Sequence, residues 1–162
     1  MPITSRRRLN ARRAEYRGFA GTLKKGLSLK GLIRSTPKYF LNSADDVIIK
    51  DYKTGVRTKT GLPAITGRAF ANVTATHRPP APHKVIVVGL QKGTPISKQR
   101  KVLVSCDCEN YKFVWEYANT VNGASRIKHC NGQPAHVTNP GNRPGLCKHL
   151  AAIAHDILRK GD

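Results

Sequence analysis

Two pairs of residues in the second half of the sequence have the spacing of metal ligands. One residue separates Cys106 from Cys108, and one residue separates Cys147 from His149. Structural zinc is held by thiolate sulfurs and imidazole nitrogens at the corners of a tetrahedron, about 2.0–2.3 Å from the metal. The two pairs together supply such a set. The sequence therefore predicts one structural zinc ion bound by Cys106, Cys108, Cys147 and His149.

A hairpin and a helix are expected to position the two pairs. The apolar residues of 101–106 predict a strand, and the alternation along 111–117 predicts a second one, which would place Cys106 and Cys108 at the tip of a hairpin. Residues two apart in an extended chain face the same side, which suits a shared ion. Residues 148–159 repeat apolar side chains at helical spacing and predict a C-terminal helix. The second pair would lie at its beginning, where unpaired N–H groups favour a thiolate.

The segment between hairpin and helix, residues 118–146, is polar and rich in Gly, Asn and Pro. A loop of this length is usually functional or tied down. It contains Cys130, His129 and His136, any of which could replace one of the four ligands. Cys130 is interpreted as a thiol that binds no metal, with a disulfide to another cysteine as the alternative in oxidising surroundings. Thiolate ligands exclude hard ions but leave zinc and iron open.

Aromatic side chains alternate along the second predicted strand and share one face. We interpret this face as part of the core, packed on the apolar stripe of the C-terminal helix; stacking on nucleic-acid bases is the alternative. The row consists of Tyr111, Phe113, Trp115 and Tyr117. The histidines outside both pairs and the spacer are interpreted as solvated or helix-face side chains; they are His77, His83 and His155.

The order Cys-x-Cys…Cys-x-His resembles the signature of the SWIM family of zinc-binding domains. The motif and the apolar helix LAAIAHDIL that follows it cover about a third of the chain, and the spacer is longer than the usual family gap. The resemblance implies a strand–strand–helix unit around one zinc ion, with a role in binding DNA or protein. The segment from Tyr111 to Leu150 is also similar to small virion proteins of tailed bacteriophages that contain this module, which implies a place in a phage particle.

Half of the net charge lies in the first quarter of the sequence. The 162-residue chain has 29 Lys and Arg against nine Asp and Glu, a net charge of +20. Self-repulsion at this charge opposes compaction unless a polyanion or an acidic surface neutralises it, so a partner is implied. Residues 1–42 predict an extended basic arm with two short helical pieces, around residues 5–17 and 29–35, interrupted by glycines. The residues expected to bind nucleic acid or neighbouring subunits are Arg6, Arg7, Arg8, Arg12, Arg13, Arg17, Lys24 and Lys25.

The middle of the chain is expected to be rich in strands. Residues 84–90, KVIVVGL, predict the clearest one, because β-branched residues lie between Pro82 and Gly93. Together with the hairpin and the helix, this predicts an α+β fold: a small β-hairpin or sheet plus a C-terminal helix around the zinc site, after an extended basic N-terminal arm. The predicted divisions are the arm at 1–42, a strand-rich segment at 43–99 and the zinc-binding module at 100–162.

Sequence patterns of common enzyme classes are absent. The chain lacks the His-x-Glu with Pro-Cys-x-x-Cys of zinc deaminases, the His-Glu-x-x-His of metalloproteases and the phosphate-binding loop. A catalytic zinc keeps one position open for water, whereas four protein ligands are available here. No window of 18 apolar residues predicts a membrane span. The chain is therefore predicted to be no enzyme, to take no small-molecule substrate and to stay outside membranes.

These observations favour a zinc-stabilised structural or binding protein of a large assembly, with other protein subunits and DNA or RNA as partners. The most specific expectation is a capsid, neck or tail component of a tailed-phage virion, whose basic arm binds neighbouring subunits or packaged DNA. The alternatives are a free-standing SWIM-type protein that binds DNA or RNA in the host cytoplasm or nucleoid, and a ribosomal-type protein.

Overall fold

The structure is a computed structural model in which residues 26–71 and 81–162 are described. The eight basic residues expected to bind nucleic acid or subunits, from Arg6 to Lys25, lie outside these ranges, and so does His77. Within the described ranges, four antiparallel strands form one sheet, and helices pack on one of its faces. The predicted α+β class, with a small sheet and a C-terminal helix, is confirmed.

Two short helices precede the sheet. Helix α1 spans Leu29–Ser35, and the hydroxyl of the preceding residue, Ser28, caps its first turn. Helix α2 spans Lys38–Ser43. Helix α1 agrees with the helical piece predicted here. Its residues Leu29 and Leu32 are fully buried in the main core. The last part of the predicted arm is therefore folded onto the rest of the chain rather than extended, because its apolar side chains contribute to that core.

The four strands follow one another in space as they do in sequence. Adjacent strands pair antiparallel in the order β1-β2-β3-β4. The third strand, His83–Gly89, confirms the strand that the β-branched run at residues 84–90 predicts. Because β3 pairs with β4, the predicted boundary between residues 99 and 100 divides one continuous sheet. The strands are β1, Val47–Val56; β2, Pro63–Ala71; β3, His83–Gly89; and β4, Val102–Cys106.

The C-terminal helix is present as predicted. Helix α4 spans Lys148–Lys160, and Gly161 follows with a φ of 77°, a left-handed conformation that glycine adopts without strain. The apolar stripe of α4 is buried through Leu150, Ile153, Ala154 and Ile157. Among the described residues, no helix is both long and apolar enough to cross a membrane.

One face of the sheet forms the core with α4. The strand register aligns Ile65, Val87 and Val104 across three strands, and all three side chains are buried. Gly67 lets the helix approach closely, since a Cβ at this position would lie 3.2 Å from the Cδ1 atom of Ile153. The helix thus rests on the middle of the sheet and holds its own beginning next to the end of β4.

The prediction of a second hairpin strand at residues 111–117 is wrong. Residues Tyr111–Trp115 form a π-helical turn that continues as helix α3, Glu116–Val121. Side chains four apart, such as Tyr111 and Trp115, lie on one side of a helix as well as on one side of a strand, so the alternation does not distinguish the two. Phe113, which a strand would bury with them, is 58% exposed. The three others, Tyr111, Trp115 and Tyr117, are buried, and Tyr111 and Trp115 belong to the same core as the apolar stripe of α4, as the core interpretation predicts.

The long loop after α3 is tied down by side chains that bond to its backbone. Residues 122–147 contain no helix or strand. The fully buried carboxylate of Glu116 accepts the backbone N–H groups of residues 128–130 at 2.6–3.2 Å. The Asn119 side chain bonds both the N–H and the carbonyl of Gly145, at 2.9 and 2.8 Å. These bonds give the loop the order that its hydrophobic content does not supply.

Candidate metal centre

Strand β4 positions the first pair of predicted ligands. Cys106 is its last residue, and Cys108 lies in the turn that leads into the helical segment. The N–H of Tyr111 donates to the Cys108 sulfur at 3.3 Å, and the Tyr111 hydroxyl donates to the carbonyl of Val104 at 3.0 Å. A strand–turn–helix unit therefore replaces the predicted hairpin, and Tyr111 fixes the helix against the strand whose end carries Cys106.

The beginning of α4 positions the second pair. Cys147 is the N-cap residue, and its sulfur accepts the N–H of Leu150 at 3.5 Å. His149 lies in the first turn. The chain is held just before the cap because the N–H of Leu146 donates to the Thr36 hydroxyl at 2.9 Å. Two helical segments thus begin at the same place, and their unpaired N–H groups favour negative charge on the sulfurs there.

All four predicted ligands form one buried group, which we call the Cys3His group. Their ligand atoms lie within 4.8 Å of one another, and the Cys106 sulfur is 4.0 Å from Nδ1 of His149. No member is more than 5% exposed. A tetrahedral zinc ion about 2.3 Å from each sulfur would set the sulfurs about 3.8 Å apart. A small contraction would therefore close the group around a single ion, so both the donors and their separations fit one metal.

Three thiols in one buried group cannot all ionise without a cation. A hydrogen bond between the Cys106 and Cys108 side chains lowers the pKa of Cys108 and raises that of Cys106. Burial raises the pKa of Cys147. Without a cation, the group therefore favours negative charge on one sulfur rather than on all three. A divalent cation would offset the repulsion and allow all three sulfurs to bind as thiolates.

Asp107, between the first two ligands, ties the neighbouring strand to the site. Its Oδ1 accepts the backbone N–H of Lys84 at 3.1 Å and lies 3.0 Å from Nδ1 of His83. The His83 ring contacts the ring of His149, with their centroids 4.7 Å apart. His83 is half-buried at the start of β3 and contacts a candidate ligand, whereas the sequence interpretation made it a solvated or helix-face side chain. Only the pairing of β3 with β4, which no local pattern encodes, brings His83 here.

The alternative ligands of the spacer are outside the group. In the part of the chain that the structure describes, the Cys3His group is the only cluster of three or more potential metal ligands. Cys130 is 7% exposed, and its N–H donates to the Glu116 carboxylate at 2.6 Å. His129 and His136 also lie elsewhere, and no two cysteines of the described ranges form a disulfide. The geometry thus favours the four ligands that the spacing predicts.

A cavity with a volume of about 420 Å³ opens beside the group. Cys108 and His149 line it, together with Lys148 and the aromatic residues Tyr39 and Phe40. Two of the four candidate ligands therefore lie at the wall of this cavity.

Comparison with known proteins adds no relative. The chain matches no known family, and no curated protein or solved structure is detectably similar to it. The likeness to SWIM domains therefore depends on the order of the four ligands and on the helix that follows them. The structure itself establishes a buried Cys3His group that could hold one metal ion.

Proposed function

We propose that this chain is a non-enzymatic binding protein whose fold is stabilised by one structural zinc ion. The observation that carries the proposal is the burial of Cys106, Cys108, Cys147 and His149 with all ligand atoms within 4.8 Å. A metal bound there would join the end of β4 to the beginning of α4 across the long loop. Such a link stabilises a small domain whose loop has few apolar contacts of its own.

The donor set supports zinc and a structural role. Thiolate and imidazole ligands suit a borderline-soft ion, and zinc accepts a mixed tetrahedral set without a redox change. Four protein ligands complete the tetrahedron, so no position stays open for a substrate or an activated water. A Zn²⁺ ion with three thiolates carries one net negative charge, which the N–H groups at the two helix beginnings would stabilise.

The binding role is supported by charge. A net charge of +20 on 162 residues is unfavourable for an isolated chain, and an acidic partner offsets it. We place the protein in a large assembly, in its most specific form the virion of a tailed phage; the support for this form is the likeness of the Cys-x-Cys…Cys-x-His segment to virion proteins. Its partners there are neighbouring subunits and packaged DNA, contacted by the basic residues of 1–25.

Elemental analysis of reduced, purified protein tests the metal site. We expect about one zinc ion per chain and no stoichiometric iron. Cys106→Ser and Cys147→Ser should each abolish metal retention, because three ligands hold zinc less tightly than four. Cys130→Ser is the matched control, since Cys130 is buried but outside the group, and it should keep the metal. Wild-type protein without stoichiometric metal would contradict the proposal.

Density-gradient fractionation tests the assembly role. A tagged chain produced during phage infection should sediment with complete tailed particles and remain there after a high-salt wash. Sedimentation with ribosomes would instead support the ribosomal alternative. Recovery only as free protein would contradict a stable place in any assembly.

A further inference from the structure

The sheet face opposite the helices, which we call the outer face, carries a row of basic side chains. Side chains alternate between faces along a strand, so Arg68 lies on the outer face because its neighbour Ala69 is in the core. Lys50 lies opposite Arg68 in the register of β1 and β2, and Lys84 lies opposite Arg68 in the register of β2 and β3. All three are exposed. Like charges at directly opposed positions destabilise a sheet, so a bound anion would offset the repulsion between these three side chains.

Nearby carboxylates compensate only part of this charge. Asp51 forms an ion pair with Arg68, and Asp107 accepts the backbone N–H of Lys84. Glu116, whose charge acts on Lys128 of the long loop, is buried and already accepts the N–H groups of that loop. An excess of positive charge therefore remains on the exposed side chains of the outer face.

The row continues into a basic groove along the outer face. Lys53, Arg57 and Lys84 line one concavity, whose floor is formed by small and apolar side chains of β2 and β3. A second concavity shares Arg57 with the first and is bordered by Arg126 and Lys128 of the long loop. A third shares Lys53 and Lys84 with the first and reaches the basic row. The three concavities are thus joined by shared lining residues, and cations line each of them, although the carboxylates of Asp51 and Asp107 also line the third.

Mutual repulsion within the groove is visible at Lys128. Partial burial lowers the pKa of this ammonium group, and the positive charges of Arg57, Lys84 and Arg126 lower it further. The Glu116 carboxylate acts in the opposite direction but is a smaller influence than burial and Arg57. These cations are therefore close enough to act on one anionic ligand together.

We propose that the groove of the outer face binds the phosphate backbone of a nucleic acid. A backbone presents closely spaced negative charges along a line, and a continuous row of Lys and Arg neutralises them regardless of base sequence. Strong protein–protein interfaces instead depend on Trp, Tyr and Arg anchors in central pockets. No aromatic side chain is among those lining the three concavities. The chemistry of the groove thus favours nucleic acid over an acidic protein.

This inference deepens the proposed function, because it names nucleic acid as a direct partner and assigns it a surface. That surface lies on the folded domain and is separate from residues 1–25. The nucleic acid would lie on the side of the sheet away from the helical layer, which leaves the cavity beside the metal group uncovered.

An outer-face variant of the full chain tests the groove. It combines Lys53→Gln, Arg57→Gln and Lys84→Gln, three exposed residues that line the same concavity. Fluorescence anisotropy with single-stranded and duplex oligonucleotides of mixed sequence, at several salt concentrations, measures the affinity. We expect a loss on the order of 100-fold at 0.1 M salt, and a decrease of about 2–3 in the slope of log K against log salt, about one for each lost phosphate contact.

The matched control removes the same charge from the helical side. It combines Arg34→Gln, Lys38→Gln and Lys98→Gln, which are also exposed. We expect it to lose less than about fivefold in affinity and to keep the salt slope within about one of wild type, because these residues are away from the groove. An equal loss in both variants would overturn the assignment, since net charge alone would then explain binding. Wild-type protein that fails to bind either oligonucleotide would also overturn it.

Two further measurements separate the possible failures. Polyglutamate of matched charge should compete weakly; if it binds as tightly as the oligonucleotide and loses affinity equally in the outer-face variant, the groove is a site for acidic protein and the inference is wrong. The zinc content of both variants should equal that of wild type, and neither variant should unfold at a lower temperature, because the substitutions remove repulsion and break no buried contact. A metal-free wild type that still binds through the groove would contradict the proposed zinc site alone.

Discussion

The two ends of helix α4 are held by different kinds of interaction. Its beginning carries Cys147 and His149, which meet the sulfurs of Cys106 and Cys108 in the Cys3His group. Its end is held by ordinary contacts of the chain. The Tyr52 hydroxyl donates to the Asp162 carboxylate at 2.7 Å, and the Lys160 ammonium lies 3.7 Å from the centre of the Tyr52 ring.

The difference follows from what precedes each end in the sequence. The beginning of α4 is buried in the core through Leu150, but it comes after a 26-residue stretch, 122–147, without helix or strand, so no regular element leads the chain into it. The end of α4 lies against β1, where a register shift between Lys50 and Lys53 turns Tyr52 toward the helix. We infer that a metal would link the sheet to the end of α4 that follows the long irregular segment, and that packing and a hydrogen bond suffice at the other end.

Removal of the metal should have the largest effect and should be confined to one end. We expect chelation, or Cys147→Ser, to lower the free energy of unfolding by about 4 kcal/mol or more, because buried thiols lose their cation. Hydrogen exchange should accelerate at residues 106–125 and in the first turn of α4, while residues 153–160 stay protected. Uniform exchange along the whole helix would show that the two ends are not independent and would break the comparison.

Glu116→Gln should loosen the metal end without touching a ligand. The carboxylate accepts three backbone N–H groups of the long loop. An amide has only one acceptor oxygen, and its NH2 group would face backbone N–H groups that need an acceptor. We expect a loss of about 2–3 kcal/mol in unfolding free energy and faster exchange across 122–147. Zinc affinity should also fall, because this loop delivers Cys147. Glu109→Gln, at an exposed carboxylate nearby, is the control and should change neither quantity.

Local patterns were sufficient to single out the four members of the Cys3His group and two of the four strands, β3 and β4. The ligand pairs are separated by one residue each, and the β-branched run of β3 is continuous, so neighbours in sequence carry the information. The helical segment after Cys108 was mispredicted because Tyr111 and Trp115 satisfy both periods. The burial of Glu116 has no local signal, since the N–H groups that it accepts lie a dozen residues further on.

Features that depend on strand register could not be predicted. The contact of His83 with His149 and the alignment of Lys50, Arg68 and Lys84 both require knowledge of which residues face one another across strands. A slip of one residue would send each side chain to the opposite face. The sequence therefore indicates that the chain is basic, but only the fold shows that part of this charge forms a groove.

Tyr52→Phe should have the smallest effect, and only at the far end of α4. Loss of the hydrogen bond to Asp162 should cost about 0.5–1.5 kcal/mol at pH 7, measured by urea unfolding, with zinc content unchanged. Tyr39→Phe, at a side chain that is 75% exposed, is the control and should cost nothing measurable.

The difference in unfolding free energy between wild type and Tyr52→Phe should depend on pH, which tests whether the Tyr52 hydroxyl causes it. Burial raises the pKa of Tyr52, and the hydrogen bond to Asp162 raises it further. Because the folded pKa is above the unfolded value of about 10, the contribution of Tyr52 is fully present below pH 10 and is lost as the pH rises past it. The stability advantage of wild type over Tyr52→Phe should therefore shrink above pH 10, while thiol titration affects both proteins equally and cancels. A variant that instead lost zinc would show that the far end of α4 supports the metal group, and the division between the two ends would not stand.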